Sequence, residues 1–133
     1  MIISWNVRGC NDIAKIREIG SRLFELNCAV AILVETRVKK DKSKKVRNNL
    51  GHRWHYIDNY DFHHNGRIWI LWNPKQVEVR SVTGGTQFIH CGIYDLQGTL
   101  VTWMTTIYAS NLLDDRRMLW TDIQNLHQQV QGC

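Results

Sequence analysis

The sequence predicts an α/β chain, and three observations carry that expectation. Cys28 to Val34 (CAVAILV) is a short, unbroken apolar run, the pattern of a strand covered on both faces. From His52 onward the texture is β, with five runs rich in β-branched or aromatic residues between turn residues. Apolar residues at helical spacing precede and follow these regions: Ile13, Ile16, Leu23 and Leu26 early, then Leu119, Ile123, Leu126 and Val130 late.

Taken in order, Ile2 to Val7 reads as the first strand, interrupted near its end by Asn6. Asparagine is depleted in strands and costly to bury unpaired, so its place there asks for a reason. Asn11 or Asp12 can cap the first helix. The second strand stops abruptly on Glu35. A basic segment follows, predicted as a short helix with Val46 and Leu50 inward and Gly51 as its stop. The five later runs are Trp54 to Tyr60, Arg67 to Trp72, Val77 to Thr83, Gln87 to Tyr94 and Leu100 to Ala109. Gly84-Gly85 and Gln97-Gly98 between the last three read as hairpin turns. Asp114 then caps a final helix. The order β-α-β-α, five strands, α is a mixed arrangement with a long antiparallel section. The six tryptophans read as core and sheet-face residues. His63-His64, beside Asn65-Gly66, reads as a loop and not as a metal pair.

At 133 residues the chain is one domain, and 44% hydrophobic against 22% charged residues excludes a disordered segment. No run of about 18 apolar residues suggests a membrane span. The start lacks the basic and apolar regions of a secretion signal. Cys10, Cys28, Cys91 and Cys133 show no metal spacing; Cys28 and Cys91 lie in apolar runs and read as buried, reduced thiols. The expected setting is nuclear or cytoplasmic, and not secreted. The net charge of +5 is local. Arg37, Lys39, Lys40, Lys42, Lys44, Lys45 and Arg47 crowd one segment beside a single acid, Asp41, while the rest is close to neutral. Such a patch is either a polyanion contact or a solvated helix face.

Polar residues at strand ends are where loops build sites on a rigid frame. Asn6, Glu35, Tyr108 and Asn111 hold such positions. Adjacent parallel strands would set Asn6 beside Glu35. A carboxylate there suits Mg²⁺, which takes one or two carboxylates with water and phosphate oxygens. A phenol and an amide nearby can donate hydrogen bonds to phosphate.

SWNVRG (4–9), LVETR (33–37), GRIWILW (66–72) and TIYASN followed by RRMLW (106–120) together resemble the endonuclease/exonuclease/phosphatase superfamily, which is deoxyribonuclease I-like. Within it they most resemble the endonuclease domain of plant non-LTR (LINE-type) retrotransposons. The resemblance implies a four-layered α/β sandwich, of which this chain would be the N-terminal half: a mixed, largely antiparallel sheet with helices on its outer face. It implies divalent-metal hydrolysis of DNA phosphodiesters, usually with Mg²⁺. Asn6 would organise the metal and catalytic centre, Glu35 would bind the metal, Tyr108 would contact the scissile phosphate, and Asn111 would face substrate. Arg37 stands where a basic residue reaches the nucleic-acid backbone, and Lys39, Lys40, Lys44 and Lys45 extend that surface. Arg8 stands where some relatives carry an acid.

The family's GDxN motif and its aspartate-histidine pair do not occur in these 133 residues. The expectation is therefore a domain truncated before those motifs and inactive alone, since nothing supplies the group that aligns or deprotonates water. A single sheet would then leave an apolar face bare and open to self-association. Two other readings stay open: a non-catalytic nucleic-acid binder using residues 37–47, and a phosphatase acting on small phosphoesters.

Overall fold

A computed structural model of the chain describes residues 1–51, 53–63, 65–109 and 113–131. Its elements are β1 (Ile2–Asn6), α1 (Ile13–Glu25), β2 (Val30–Val34), α2 (Lys40–Arg47), a 3-10 turn (Asn48–Leu50), β3 (His55–Asp58), β4 (Ile68–Trp72), β5 (Glu78–Gly84), β6 (Phe88–Tyr94), β7 (Leu100–Ile107) and α3 (Leu113–Gln131). The expected α/β class and element order hold. Asp12 is the cap of α1, accepting from the Ala14 N–H at 2.9 Å. The last helix begins at Leu113, so Asp114 lies inside it.

The five later strands divide between two sheets. The first sheet runs β1-β2-β4-β3, with β1 parallel to β2 and the other pairs antiparallel. The second is the antiparallel meander β5-β6-β7, turned through the Gly84 and Gly98 regions as expected. Alternation along each strand then fixes the layers. Ala31, Leu33, Trp69 and Leu71 face the helices and join Ile16, Ile19, Leu23, Val38 and Leu50 in one core. Val30, Ile32, Ile68, Ile70 and Trp72 face the other way and pack on Val79, Ile89, Cys91 and Ile93 of the second sheet. Phe88 points outward from β6 and meets Leu119 and Leu126 of α3. The result is four layers: helices, sheet, sheet, helix.

Several expectations need correction. The chain does not present one sheet with a bare face, because its own β5–β7 meander covers most of the first sheet's inner side. What remains open is local: Ile2 on β1, and Leu100, Val101, Trp103 and Ile107 on β7, are exposed. Trp5, Trp54, Trp69 and Trp72 serve the cores and Trp103 lies on the β7 face, as expected, while Trp120 is exposed on α3. Ile13 and Leu26 are also exposed, and the buried stripe of α1 is Ile16, Ile19, Gly20 and Leu23. Arg47 leaves the surface patch altogether. It is buried, with Nη1 donating to Asp58 at 2.7 Å and its guanidinium 3.6 Å from the Tyr56 ring centroid. Cys10, Cys28 and Cys91 are buried and free, as expected of the latter two. Burial pushes the Cys10 thiol up to about 12 and Cys91 to about 11, leaving both inert.

Candidate active site

Hydrogen bonds continue past the ends of β1 and β2 and tie their two following loops together. The N–H groups of Val7, Gly9 and Cys10 donate to the carbonyls of Val34, Glu35 and Thr36 at 3.0, 2.7 and 3.0 Å. Asn11 Nδ2 then donates to the Arg37 carbonyl at 2.8 Å. This ladder places Asn6 beside Glu35, in the parallel register that pairs Asn6 with Val34. The backbone here is unusual. Arg8, Glu35 and Arg37 have φ of 51°, 59° and 56°, a left-handed conformation that non-glycine residues adopt at a cost. Gly9, with φ 86°, lies under the Arg37 side chain, and a Cβ there would come 3.2 Å from Arg37 Cδ.

Glu35 is half-buried and forms an ion pair with Arg37. The Arg37 guanidinium, and after it the Asn6 amide, hold its carboxyl below the usual carboxylate range, while partial burial opposes them. Asn6 Oδ1 accepts from the Arg8 N–H at 3.1 Å, so its amide is oriented on both sides. Across from this pair stands Tyr108, just beyond β7, its N–H donating to the Gln87 carbonyl at 2.8 Å. Glu35 and Tyr108 line one cleft of about 380 Å³ together with Arg37, Lys39, Asn65, Gly66 and Arg67. Three cations thus surround one carboxylate. Asn111 lies outside the described residues. Of the remaining sequence candidates, Lys45 lines an adjoining groove, whereas the exposed Lys40 and Lys44 line neither.

Sequence reasoning missed the far wall. Arg67 sits 5.9 Å from the Tyr108 ring centroid and is held there by a buried asparagine. Asn59 Oδ1 accepts from the Arg67 and Ile68 N–H groups at 3.0 and 3.2 Å, while its Nδ2 donates to the Thr86 carbonyl at 3.1 Å. Gly66, with φ 48°, packs against Tyr60 so tightly that a Cβ would lie 2.3 Å from the ring. The Tyr60 hydroxyl donates to the Val38 carbonyl at 2.6 Å and accepts from Trp69 Nε1 at 3.1 Å, fixing the approach to Lys39. An asparagine amid YIDNYDF was the available signal, the same signal that singled out Asn6.

For a divalent cation the cleft offers one carboxylate, Glu35, and among the described residues no group of three His, Cys, Asp or Glu side chains could hold an ion. These donors fit a hard ion shared with phosphate oxygens; they do not fit a resident one. No helix among the described residues is long and apolar enough to cross a membrane.

No family model matches the chain, and no curated protein matches it. Solved structures do. D. rerio TDP2 humanized by 14 mutations superposes with a TM-score of 0.65 at 14% identity, over 98% of this chain and 58% of its own. D. rerio TDP2 complexed with a single-strand DNA product gives 0.66 at 15% identity, over 98% and 54%. The chain therefore spans little more than half the length of these structures, and over that half it has their fold, an α/β sandwich of the deoxyribonuclease I type.

Proposed function

We propose that the Glu35–Tyr108 cleft binds a phosphodiester of DNA, as the phosphate-holding part of a metal-dependent, LINE-type retrotransposon endonuclease domain. The observation that carries the reading is the gathering of Arg37, Lys39, Arg67 and Tyr108 around Glu35, beyond the ends of β2 and β7. A protein of the same fold has been crystallised with a DNA product, which supports nucleic acid as the ligand class. In this reading Tyr108 donates its O–H to a phosphate oxygen, and Arg37, Lys39 and Arg67 balance the phosphate charge. Asn6 orients Glu35, and Asn111 is the further polar group facing substrate. Glu35 would hold Mg²⁺ together with phosphate oxygens, and the ion when bound would supply Lewis-acid stabilisation of charge. A nuclear or cytoplasmic setting belongs to the reading, and buried free thiols suit it.

Hydrolysis also needs a group that aligns water, and residues 1–133 contain neither GDxN nor Asp followed by His. Turnover therefore requires a further segment carrying that group. Purified chain 1–133 should bind oligonucleotides yet fail to nick plasmid with Mg²⁺, and Glu35→Ala should change nothing measurable. Mg²⁺-dependent nicking that EDTA and Glu35→Ala both abolish would overturn the silence of the chain alone. The second reading, a non-catalytic binder working through residues 37–47, is favoured by the missing water-activating group. It predicts that supplying a GDxN and Asp-His segment restores no cleavage. Phosphate release from small phosphoesters would favour a phosphatase, against which the basic segment 37–47 and the retrotransposon-like motifs count. The free edge and exposed apolar face of β7 would, in the same reading, pair with a second copy of the chain.

A further inference from the structure

The cleft at Glu35 does not end at Arg37 and Lys39. Both residues also line a second groove, of about 500 Å³, between the start of α1 and the exposed side of α2. Lys42, Lys45 and Asn49 recur along that side at helical spacing and, with Asn11, bring two more cations and two amides. The floor is apolar, formed by Ile13 and Val46. Ile13 is 53% exposed in the first turn of α1. Of the nearby acids, Glu35 is paired with Arg37 and lines only the first cleft. Asp12 is turned to the Ala14 N–H, and Asp41 is not part of the lining.

We propose that this groove carries a single nucleic-acid strand away from the Glu35–Tyr108 cleft. Arg37 and Lys39 hold the phosphates at the junction, Lys42 and Lys45 hold those beyond, and Ile13 and Val46 lie under sugars and bases. A positively charged groove that tracks the backbone accepts single strands without sequence preference, and here aliphatic side chains stand where aromatic ones would stack on bases. Lys40 and Lys44 carry equal charge on the same helix and take no part. The inference rests on the nucleic-acid reading above, and it adds the direction of the strand and the lysines that meet it.

The test is fluorescence anisotropy of single-stranded oligonucleotides, one short enough to fill only the Glu35 cleft and one long enough to reach Lys45, titrated across a salt series. Two variants remove the same charge from exposed positions: Lys42→Gln/Lys45→Gln and Lys40→Gln/Lys44→Gln. For the long oligonucleotide, the first should lower the slope of log affinity against log salt by about 1.4, two phosphate contacts at ~0.7 each for a single strand. It should also erase the advantage of the long oligonucleotide over the short one. The second should leave that advantage intact. Equal losses from the two variants, with binding otherwise retained, would overturn the path and leave the nucleic-acid reading standing. Failure of the unsubstituted chain to bind either oligonucleotide would remove both. So would binding only to vesicles of phosphatidylserine and phosphatidylcholine, which would make the groove a membrane contact.

Discussion

The carboxyl end of β1 and β2 and the outer edge of β7 make opposite use of the same resource, the strand end. At the first, backbone groups beyond the sheet are spent on one another from Val7 to Arg37, and both faces of β2 are covered. Strained residues such as Glu35 and Arg37 can persist only in such a setting, where the surroundings over-determine them. At the second, β7 pairs among the described residues with β6 alone and turns Val101, Trp103 and Ile107 to solvent. The end whose backbone is cross-bonded carries the candidate chemistry. The edge that is left open carries apolar surface, the material of contact with another chain.

The contrast breaks most sharply in the core. Trp69→Ala removes a fully buried indole and its hydrogen bond to Tyr60, and should cost about 3–5 kcal/mol in denaturant unfolding. Trp103→Ala removes a half-open ring stacked on His90 and should cost about 1 kcal/mol. Similar costs would mean that the β7 face is covered after all.

Next in size is Asn59→Ala. The buried Ile68 N–H would lose its acceptor, a loss of about 1–3 kcal/mol, and the part-buried Arg67 N–H would lose the same partner with water to replace it. Because one of these groups belongs to Arg67, oligonucleotide affinity should fall as well. Stability lost with affinity unchanged would disconnect the far wall from the ligand.

Self-association is the direct reading of the open edge. Sedimentation at rising concentration should show dimers, and Trp103→Lys should return the chain to monomer with its circular dichroism unchanged. Monomers at all concentrations would refute the pairing.

The smallest effect is one of acidity. Burial lowers the pKa of His90 below its ordinary 6.5, so the folded state favours the neutral ring. The stability this contributes is complete above pH 6.5 and is lost as pH falls through the lowered value. The melting temperature should therefore drop between pH 7.5 and 5.5, and His90→Gln should flatten that drop. Glu35, also shifted down, acts only in a more acid window, below the usual glutamate value of 4.5.

How much of this was legible follows from the distance over which each feature is decided. The covered strand at 28–34, the polar stops at Asn6 and Glu35, and the hairpin glycines are local patterns, and they placed one wall of the cleft. By sequence Asn59 reads as part of a strand, since its partners at 85–86 lie 26 and 27 residues away. By sequence Arg47 reads as one of the surface charges, since only folding brings Tyr56 and Asp58 onto it. The division of five strands into two sheets was likewise invisible, since adjacent runs look alike whichever sheet they join. Lys40 and Lys44 could not be separated from Lys42 and Lys45 until the helix had a groove on one side.

The ladder between residues 7–11 and 34–37 also bears on the order of events during folding. Its two strips are joined by α1 and β2, so closing it completes a βαβ unit from a short, local piece of chain. Its two strips lie nearer each other in sequence than either lies to Tyr108, so the ladder has less loop-closure entropy to overcome than the contact across the cleft. The Glu35 end of the cleft should then acquire amide-exchange protection with β1, α1 and β2, before the β5–β7 meander docks and brings Tyr108 across. Half of the cleft would be built before the molecule has its second sheet.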